Sequence, residues 1–140
     1  MAIHLFEEDI KFKINKKLGI KKWLKETIEK EKNVLKELNY IFCSDEYLHN
    51  MNVSYLNHDT LTDIITFDNA EFEGEIVGDI FISIERVKEN AVKFGVSFED
   101  ELHRVMVHGA LHLLGYKDKK KADQEKMRER ENYYLKRRNF

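Results

Sequence analysis

Proline is absent from this chain and glycine occurs only six times in 140 residues, although an average chain of this size holds about seven prolines. Without a stretch rich in either residue there is no linker-like segment, which argues against a second domain. The one cysteine, Cys43, excludes an internal disulfide. Its neighbours Ile41 and Phe42 predict a strand, in which Cys43 is a small buried apolar residue suited to a reducing compartment. No apolar run reaches the length of a membrane span, and the N-terminal Met-Ala-Ile-His-Leu-Phe-Glu-Glu-Asp has neither the basic region nor the apolar core of a secretory signal. A soluble, cytoplasmic protein with no membrane partner is the expectation. A basic surplus is lacking too. The 24 Lys and Arg against 26 Asp and Glu give a net charge of −2, which excludes non-specific coating of nucleic acid but leaves room for a local basic patch.

What the chain does have is a mixed order of elements. Ile3 to Phe6 reads as a strand, and Gly19 to Lys32 as a helix with Ile20, Trp23, Leu24 and Ile28 on one face. Leu38 to Cys43 reads as a strand and Ser44 to about Asn52 as a capped helix. Thr62 to Phe67 and Glu75 to Ile84 read as β-branched strands made neighbours by the turn at Glu73 and Gly74. Glu85 to Phe94 is a helix stopped by Gly95, and Ser97 caps the next one. Lys121 to Arg138 closes the chain as a surface helix whose acids Glu125, Glu129 and Glu131 could in principle be metal ligands, although most are expected to be solvated ion-pair partners. The 42% hydrophobic content suits one α+β domain spanning 1–140, a small mixed sheet of about four strands packed with about five helices.

The helix after Ser97 is apolar almost all round, so it is expected at the centre. It ends in His108-Gly-Ala-Leu-His112-Leu-Leu-Gly115-Tyr-Lys-Asp118. Four helical steps of about 100° bring the second imidazole to within about 40° of the first. The pair alone also fits two ordinary helix side chains. Gly115 adds a helix stop in the left-handed region, and the turn that follows carries Asp118 back toward the histidines. Two histidines and a carboxylate suffice for a catalytic zinc with an open fourth position, so the predicted metal ligands are His108, His112 and Asp118, with one Zn2+ per chain. His103 precedes His108 by five residues and falls on another part of the helix, and His4 and His49 have no metal spacing.

The spacing is similar to the zinc-peptidase pattern His-Glu-x-x-His-x-x-Gly-x-x-His/Asp except at Gly109, where such peptidases carry their general-base glutamate. Seven positions, His108, Gly109, Leu111, His112, Leu113, Gly115 and Tyr116, instead resemble the signature His-Gly-x-Leu-His-Leu-x-Gly-Tyr-Asp-His of the YbeY-type endoribonucleases, or rRNA maturation factors. Upstream, Met51 to Phe67 is similar to that family's Leu-Asn-x-x-Tyr-Arg-x-x-Asp-x-Pro-Thr-Asp-Val-Leu-Ser-Phe block, and Gly78 to Ser83 to its Gly-Asp-Ile-x-Ile-Ser strand. The three blocks lie in order over roughly residues 40 to 135. The departures are Lys117 for aspartate, Asp118 for the third histidine, Leu56 for an arginine that faces the phosphate, and Leu61 for proline. A carboxylate is an acceptable zinc ligand that shifts preference toward harder metals such as manganese.

The resemblance implies a zinc-dependent, single-strand-specific endoribonuclease acting on rRNA and ribosomal particles, in small-subunit 3′-end processing and ribosome quality control, with small-subunit ribosomal proteins as further partners. Possible cleft contacts are His58, Asp63, Lys117 and Arg104, and Lys117, Arg104 and Arg86 are the candidate substitutes for the missing arginine. Two rival readings keep the same ligands: a non-catalytic ribosome-assembly factor with a structural metal, and a metallopeptidase-like hydrolase with a replacement base.

Overall fold

A computed structural model describes residues 2–58 and 60–140; Asp59, within the Met51-to-Phe67 block, and Met1 lie outside the described residues. The elements run β1 (Ile3–Glu7), α1 (Lys17–Lys30), β2 (Val34–Cys43), α2 (Asp45–Leu56), β3 (Ile64–Asp68), β4 (Glu75–Ser83), α3 (Ile84–Phe94), α4 (Phe98–Leu113) and α5 (Lys121–Leu135). The strands form one mixed sheet in the order β1-β2-β4-β3. β1 and β4 pair parallel to β2, with Ile3 opposite Leu38 and Tyr40 opposite Ile80. β3 pairs antiparallel to β4, with Ile65 opposite Phe81. The described residues adopt the expected α+β architecture of four strands and five helices.

Strand alternation sorts side chains to two faces. On one face Ile76, Ile80 and Ile82 of β4 join Leu38 and Tyr40 of β2, Trp23 and Leu24 of α1, and the apolar side of α4 in the main core. On the other, Cys43, Leu48 and Ile65 form a smaller core with Tyr47 and Phe81, under α2. Each fully buried aliphatic side chain contributes about 1.5–3 kcal/mol on removal from water. The central strands and α4, which carry most of them, are therefore the rigid part of the molecule.

Several element ends differ from expectation, each for a visible reason. β2 begins at Val34 rather than Leu38 because the register shifts between Leu35 and Glu37; this bulge breaks the two-residue alternation that a sequence pattern needs. α2 continues past Asn52 to Leu56 and ends on Asn57 at φ 55°. Asn52 reads as a helix end from its polarity, yet it is buried and its amide donates to the Thr60 carbonyl at 2.8 Å. α1 and α5 stop two or three residues short of the predicted ends, within the usual fraying of helix termini.

α4 is anchored at both ends and in the middle. Ser97 Oγ accepts the Asp100 N–H at 3.1 Å, a side-chain N-cap, and Glu99, Asp100 and Glu101 favour the positive end of the helix dipole. The Tyr40 hydroxyl donates to the Met106 carbonyl at 2.7 Å, tying the helix to β2. Gly109 lies against the sheet. A Cβ there would fall 2.9 Å from Ile80 Cδ1 and 3.0 Å from Ile64 Cδ1, so only a residue without a side chain lets helix and sheet approach this closely.

Candidate metal centre

The site begins where α4 stops. Leu114 is the C-cap and Gly115 takes φ 104°; the Gly115 N–H donates to the His112 carbonyl and the Tyr116 N–H to the Leu111 carbonyl, both at 3.0 Å. This pair of bonds is the Schellman termination. It reverses the chain and returns Asp118 to the histidines. His112 Nε2 and His108 Nε2 lie 3.2 and 3.3 Å from the same Asp118 oxygen, Oδ2. One ligand atom from each of the three residues fits within 4.8 Å of the others.

Both imidazoles have their second nitrogen occupied. The His112 Nδ1 sits 3.0 Å from the Tyr116 carbonyl, which only accepts, so Nδ1 carries the proton and Nε2 offers a lone pair. The His108 Nδ1 sits 2.6 Å from Glu131 Oε2, and the same argument fixes its tautomer. Zinc–nitrogen bonds of about 2.0–2.1 Å at tetrahedral angles separate ligand atoms by roughly 3.3 Å, which matches the spacing of both Nε2 atoms from Asp118. The donor set, two neutral nitrogens and one carboxylate oxygen held at that spacing, fits a divalent zinc-type ion.

Behind the histidines stands a buried charge relay. Glu131 is 4% exposed; its Oε1 accepts from Arg104 Nη1 at 2.8 Å while Arg104 Nη2 donates to Asn132 Oδ1 at 2.7 Å. Burial opposes charge on Glu131, but the His108 and Arg104 hydrogen bonds outweigh it and hold the carboxyl below its ordinary range. Burial likewise opposes charge on His108, and the Glu131 hydrogen bond and charge reverse the effect, raising the imidazole above its ordinary value. A metal ion competes with that proton for Nε2. Carboxylate-to-histidine contacts of this kind orient metal ligands and raise their basicity.

The ligand turn is also clamped from outside. The Tyr116 hydroxyl donates to Glu31 Oε1 at 2.7 Å, Arg130 Nη2 to Glu31 Oε2 at 3.0 Å, and the Tyr134 hydroxyl to the same carboxylate. Glu31 lies at the end of α1, so α1, the turn and α5 meet on one carboxylate.

A cavity of about 310 Å³ opens beside His108 and Asp118 and is lined further by Asp63, Arg104, Arg128 and Glu131. Burial raises the Asp63 carboxyl above its ordinary range, only partly offset by the nearby His108. Of the residues singled out from sequence, Asp63 and Arg104 thus reach this cavity. Lys117 lines a different one with Tyr116 and Glu31. Arg86 pairs with Asp45 at 2.9 Å and Glu89 at 2.5 Å and does not line the cavity, although its charge acts on Asp63. His58 does not line the cavity; its N–H donates to the Asn52 carbonyl. Leu56, where the resembled signature has arginine, is 42% exposed at the end of α2. His103 is buried against the Trp23 and Phe140 rings and accepts from Arg138 Nη1 at 2.8 Å, outside the cluster as its spacing predicts.

Glu131 is the residue that sequence reasoning misplaced, as one of a set of mostly solvated acids. The signal was its position four residues after Met127 and three before Tyr134, both buried, on the stripe that faces α4. No helix of the described residues is long and apolar enough to cross a membrane.

Residues 3–139 match the sequence model of the family described as Endoribonuclease YbeY. The chain is 53% identical over 139 residues to the Endoribonuclease YbeY of Cytophaga hutchinsonii, covering 99% of this chain and 97% of that one. It is 54% identical over 127 residues to that of Flavobacterium johnsoniae, covering 91% of each. Among solved structures, that of the TM1509 protein from Thermotoga maritima is similar at a TM-score of 0.67 and 30% identity, covering 96% of this chain and 87% of that one.

Proposed function

Because the chain belongs to the Endoribonuclease YbeY family, we propose that it is a single-domain, zinc-dependent endoribonuclease that cuts single-stranded RNA. The proposed ligands are His108, His112 and Asp118. The proposed setting is the cytoplasm, in maturation of the small-subunit rRNA 3′ end and in ribosome quality control, with rRNA, ribosomal particles and small-subunit ribosomal proteins as partners.

The observation that carries the reading is the locked pair of tautomers: Tyr116 and Glu131 occupy both Nδ1 positions, so both Nε2 lone pairs converge on Asp118. A bound divalent ion supplies Lewis acidity, polarising a phosphate oxygen and making water a better acid. The chain's own groups do the rest. Glu131, held by Arg104, keeps His108 in one orientation, and the Schellman turn with the Glu31 clamp keeps Asp118 in reach. Asp63 faces the same cavity with a carboxyl that burial biases toward the protonated form, available to hold or pass a proton at its carboxyl oxygen.

The peptidase reading loses its support at Gly109. A glutamate in that position would be driven into Ile80 and Ile64 instead of toward a substrate, so the local packing leaves no place for that general base.

The test is metal content by elemental analysis and cleavage of a single-stranded RNA, on wild type and a His108→Ala/His112→Ala variant. About one zinc per chain and RNA cleavage, both lost in the variant, are expected. A metal-bearing wild type that leaves RNA intact in the presence of zinc or manganese refutes the nuclease assignment and favours an assembly factor. Product ends assign the attacking oxygen: a cyclic or 3′-phosphate means the ribose 2′-hydroxyl, a 5′-phosphate with free 3′-hydroxyl means water.

A further inference from the structure

A metal cluster does not by itself hold a polyanion in register, and the arginine of the resembled signature is Leu56 here. Among the described residues, two arginines line the cavity beside His108 and Asp118, Arg104 and Arg128. Arg104 is spent, its two terminal nitrogens bound to Glu131 and Asn132. Arg128 is not. It follows the buried Met127 by one helical step of about 100°, which turns it from the packed stripe of α5 toward the cavity rim. Its side chain is 61% exposed, and its Nη1 stands 3.8 Å from Glu131 Oε1, beyond hydrogen-bond distance.

A second helix supplies a different chemistry to the same cavity. α3 ends on Gly95 at φ 68°, and the residue before this stop, Phe94, lines the cavity and is 54% exposed. Asn90, one turn earlier on α3, lines it too. A large ring left in water beside a candidate active site is not accounted for by the core, and Lys93 Nζ lies 6.0 Å from the centre of that ring. A phenyl face, an amide and a guanidinium held only by a 3.8 Å ion pair to Glu131, around one cavity, match base, base edge and phosphate of a nucleotide.

We propose that Asn90, Phe94 and Arg128 form a subsite for one nucleotide of a single strand, next to the metal cluster, Arg128 taking its phosphate and Phe94 stacking on its base. This rests on the endoribonuclease reading. An unpaired base offers a free face to Phe94, whereas a paired base keeps its faces inside the stack. Arg128 and Phe94 are positioning residues: they hold the strand and leave the reacting atoms to the cluster.

The test uses the zinc-loaded full chain and a single-stranded 2′-O-methyl RNA, confirmed intact by gel after binding is read by fluorescence anisotropy, alongside cleavage of the unmodified RNA. Arg128→Ala is expected to weaken binding about 10-fold and to flatten the slope of log affinity against log salt by about 0.7, the contribution of one phosphate on a single strand. Arg128→Lys restores most of both. Phe94→Leu, which stays apolar, weakens binding about 5-fold or more, while Phe94→Tyr, which keeps a stacking face, binds as wild type. In cleavage the losses fall on KM with kcat and zinc content kept. Wild-type affinity and salt slope in both Arg128→Ala and Phe94→Leu overturn the subsite, as does Phe94→Tyr losing as much as Phe94→Leu. The two readings fail separately. A wild type that binds with this variant pattern but cuts nothing keeps the subsite and ends the nuclease reading; one that cuts RNA while the variants bind unchanged does the reverse.

Discussion

Replacing Glu131 with glutamine changes one oxygen to an amide nitrogen and tests the buried relay behind the ligands. Glu131 accepts from two donors, Arg104 Nη1 at 2.8 Å and His108 Nδ1 at 2.6 Å. Glutamine accepts with its single oxygen and donates with its nitrogen, so one contact has to fail. If the amide nitrogen faces His108, it demands an acceptor at Nδ1, moves the imidazole proton to Nε2 and blocks the lone pair that a metal needs. If it faces Arg104, two donors confront each other at a site only 6% exposed on the carboxyl side. Removing a hydrogen bond behind a ligand costs about 10- to 100-fold in metal affinity, or about 1.4–2.7 kcal/mol. A cost of about 1–3 kcal/mol in metal-free stability accompanies it, from the unsatisfied buried donor. Competition titration of zinc against a chromophoric chelator reads the first figure and urea unfolding of the metal-free protein the second. A folded Glu131→Gln with wild-type zinc affinity refutes the tautomer argument, because a His108 oriented by other contacts would not register the change.

Gly109→Glu, which restores the peptidase pattern, is expected to destabilise by at least ~3 kcal/mol through overpacking and a buried carboxylate and to give no peptide hydrolysis; a well-folded variant by calorimetry would show that α4 can lift from Ile80 and Ile64. His103, buried and accepting from Arg138, has its pKa depressed to about 4 by burial first and the Arg138 charge second. The unfolded chain therefore binds the extra proton between about pH 6.5 and 4. Stability falls as pH drops through that window, by about 2 kcal/mol at pH 5 relative to neutral, and the difference between wild type and His103→Gln in urea midpoints against pH should show that slope only in the wild type. Cys43 is fully buried and burial, with the nearby Asp9 and Glu8 charges, pushes its thiol up to about 12. Iodoacetamide at pH 8 should leave it unmodified by mass spectrometry until denaturant is added, and native labelling at the rate of a free thiol would contradict its place under α2.

The fold was legible wherever packing is periodic. Ile20, Trp23, Leu24 and Ile28 repeat at helical spacing, the residues of β4 alternate, and Ser97 and Gly95 punctuate α3 and α4, so elements could be placed from local pattern alone. What stayed hidden depends on partners distant in sequence. The first half of β2 was lost because a bulge, set by pairing with β4, offsets the alternation. Glu131 looked like one of several surface acids because its burial is decided by Arg104, 27 residues away. Of the site, His108, His112 and Asp118 lie within eleven consecutive residues, where helix geometry and one glycine turn fix their relation. The cavity walls come from β3, α3, α4 and α5, and no spacing rule joins Phe94 to Arg128.

Two of the four departures from the resembled signature act in the same electrostatic direction. Exchanging a third histidine for Asp118 adds a negative charge to the cluster, and exchanging an arginine for Leu56 removes a positive one, so these two positions are two charges more negative than the signature prescribes; the exchange of aspartate for Lys117 runs the other way, but Lys117 lines another cavity. Glu131, held ionised, is matched by Arg104, so that pair does not offset the difference. A phosphate approaching such a site is repelled unless positive charge comes from elsewhere. Two sources are available: the proposed metal ion, whose double charge Asp118 would partly cancel, and a cation on the rim. Lys117 lines another cavity and Arg86 is bound to Asp45 and Glu89, which leaves Arg128 as the rim cation with donors to spare. On this reasoning Asp118→His and Arg128→Ala should partly compensate one another. The double variant should bind single-stranded RNA with an affinity between those of the two single variants, because the repulsion lost with Asp118 and the attraction lost with Arg128 are separate terms on the same phosphate. A double variant that binds no more tightly than Arg128→Ala alone in that cycle would refute the electrostatic argument.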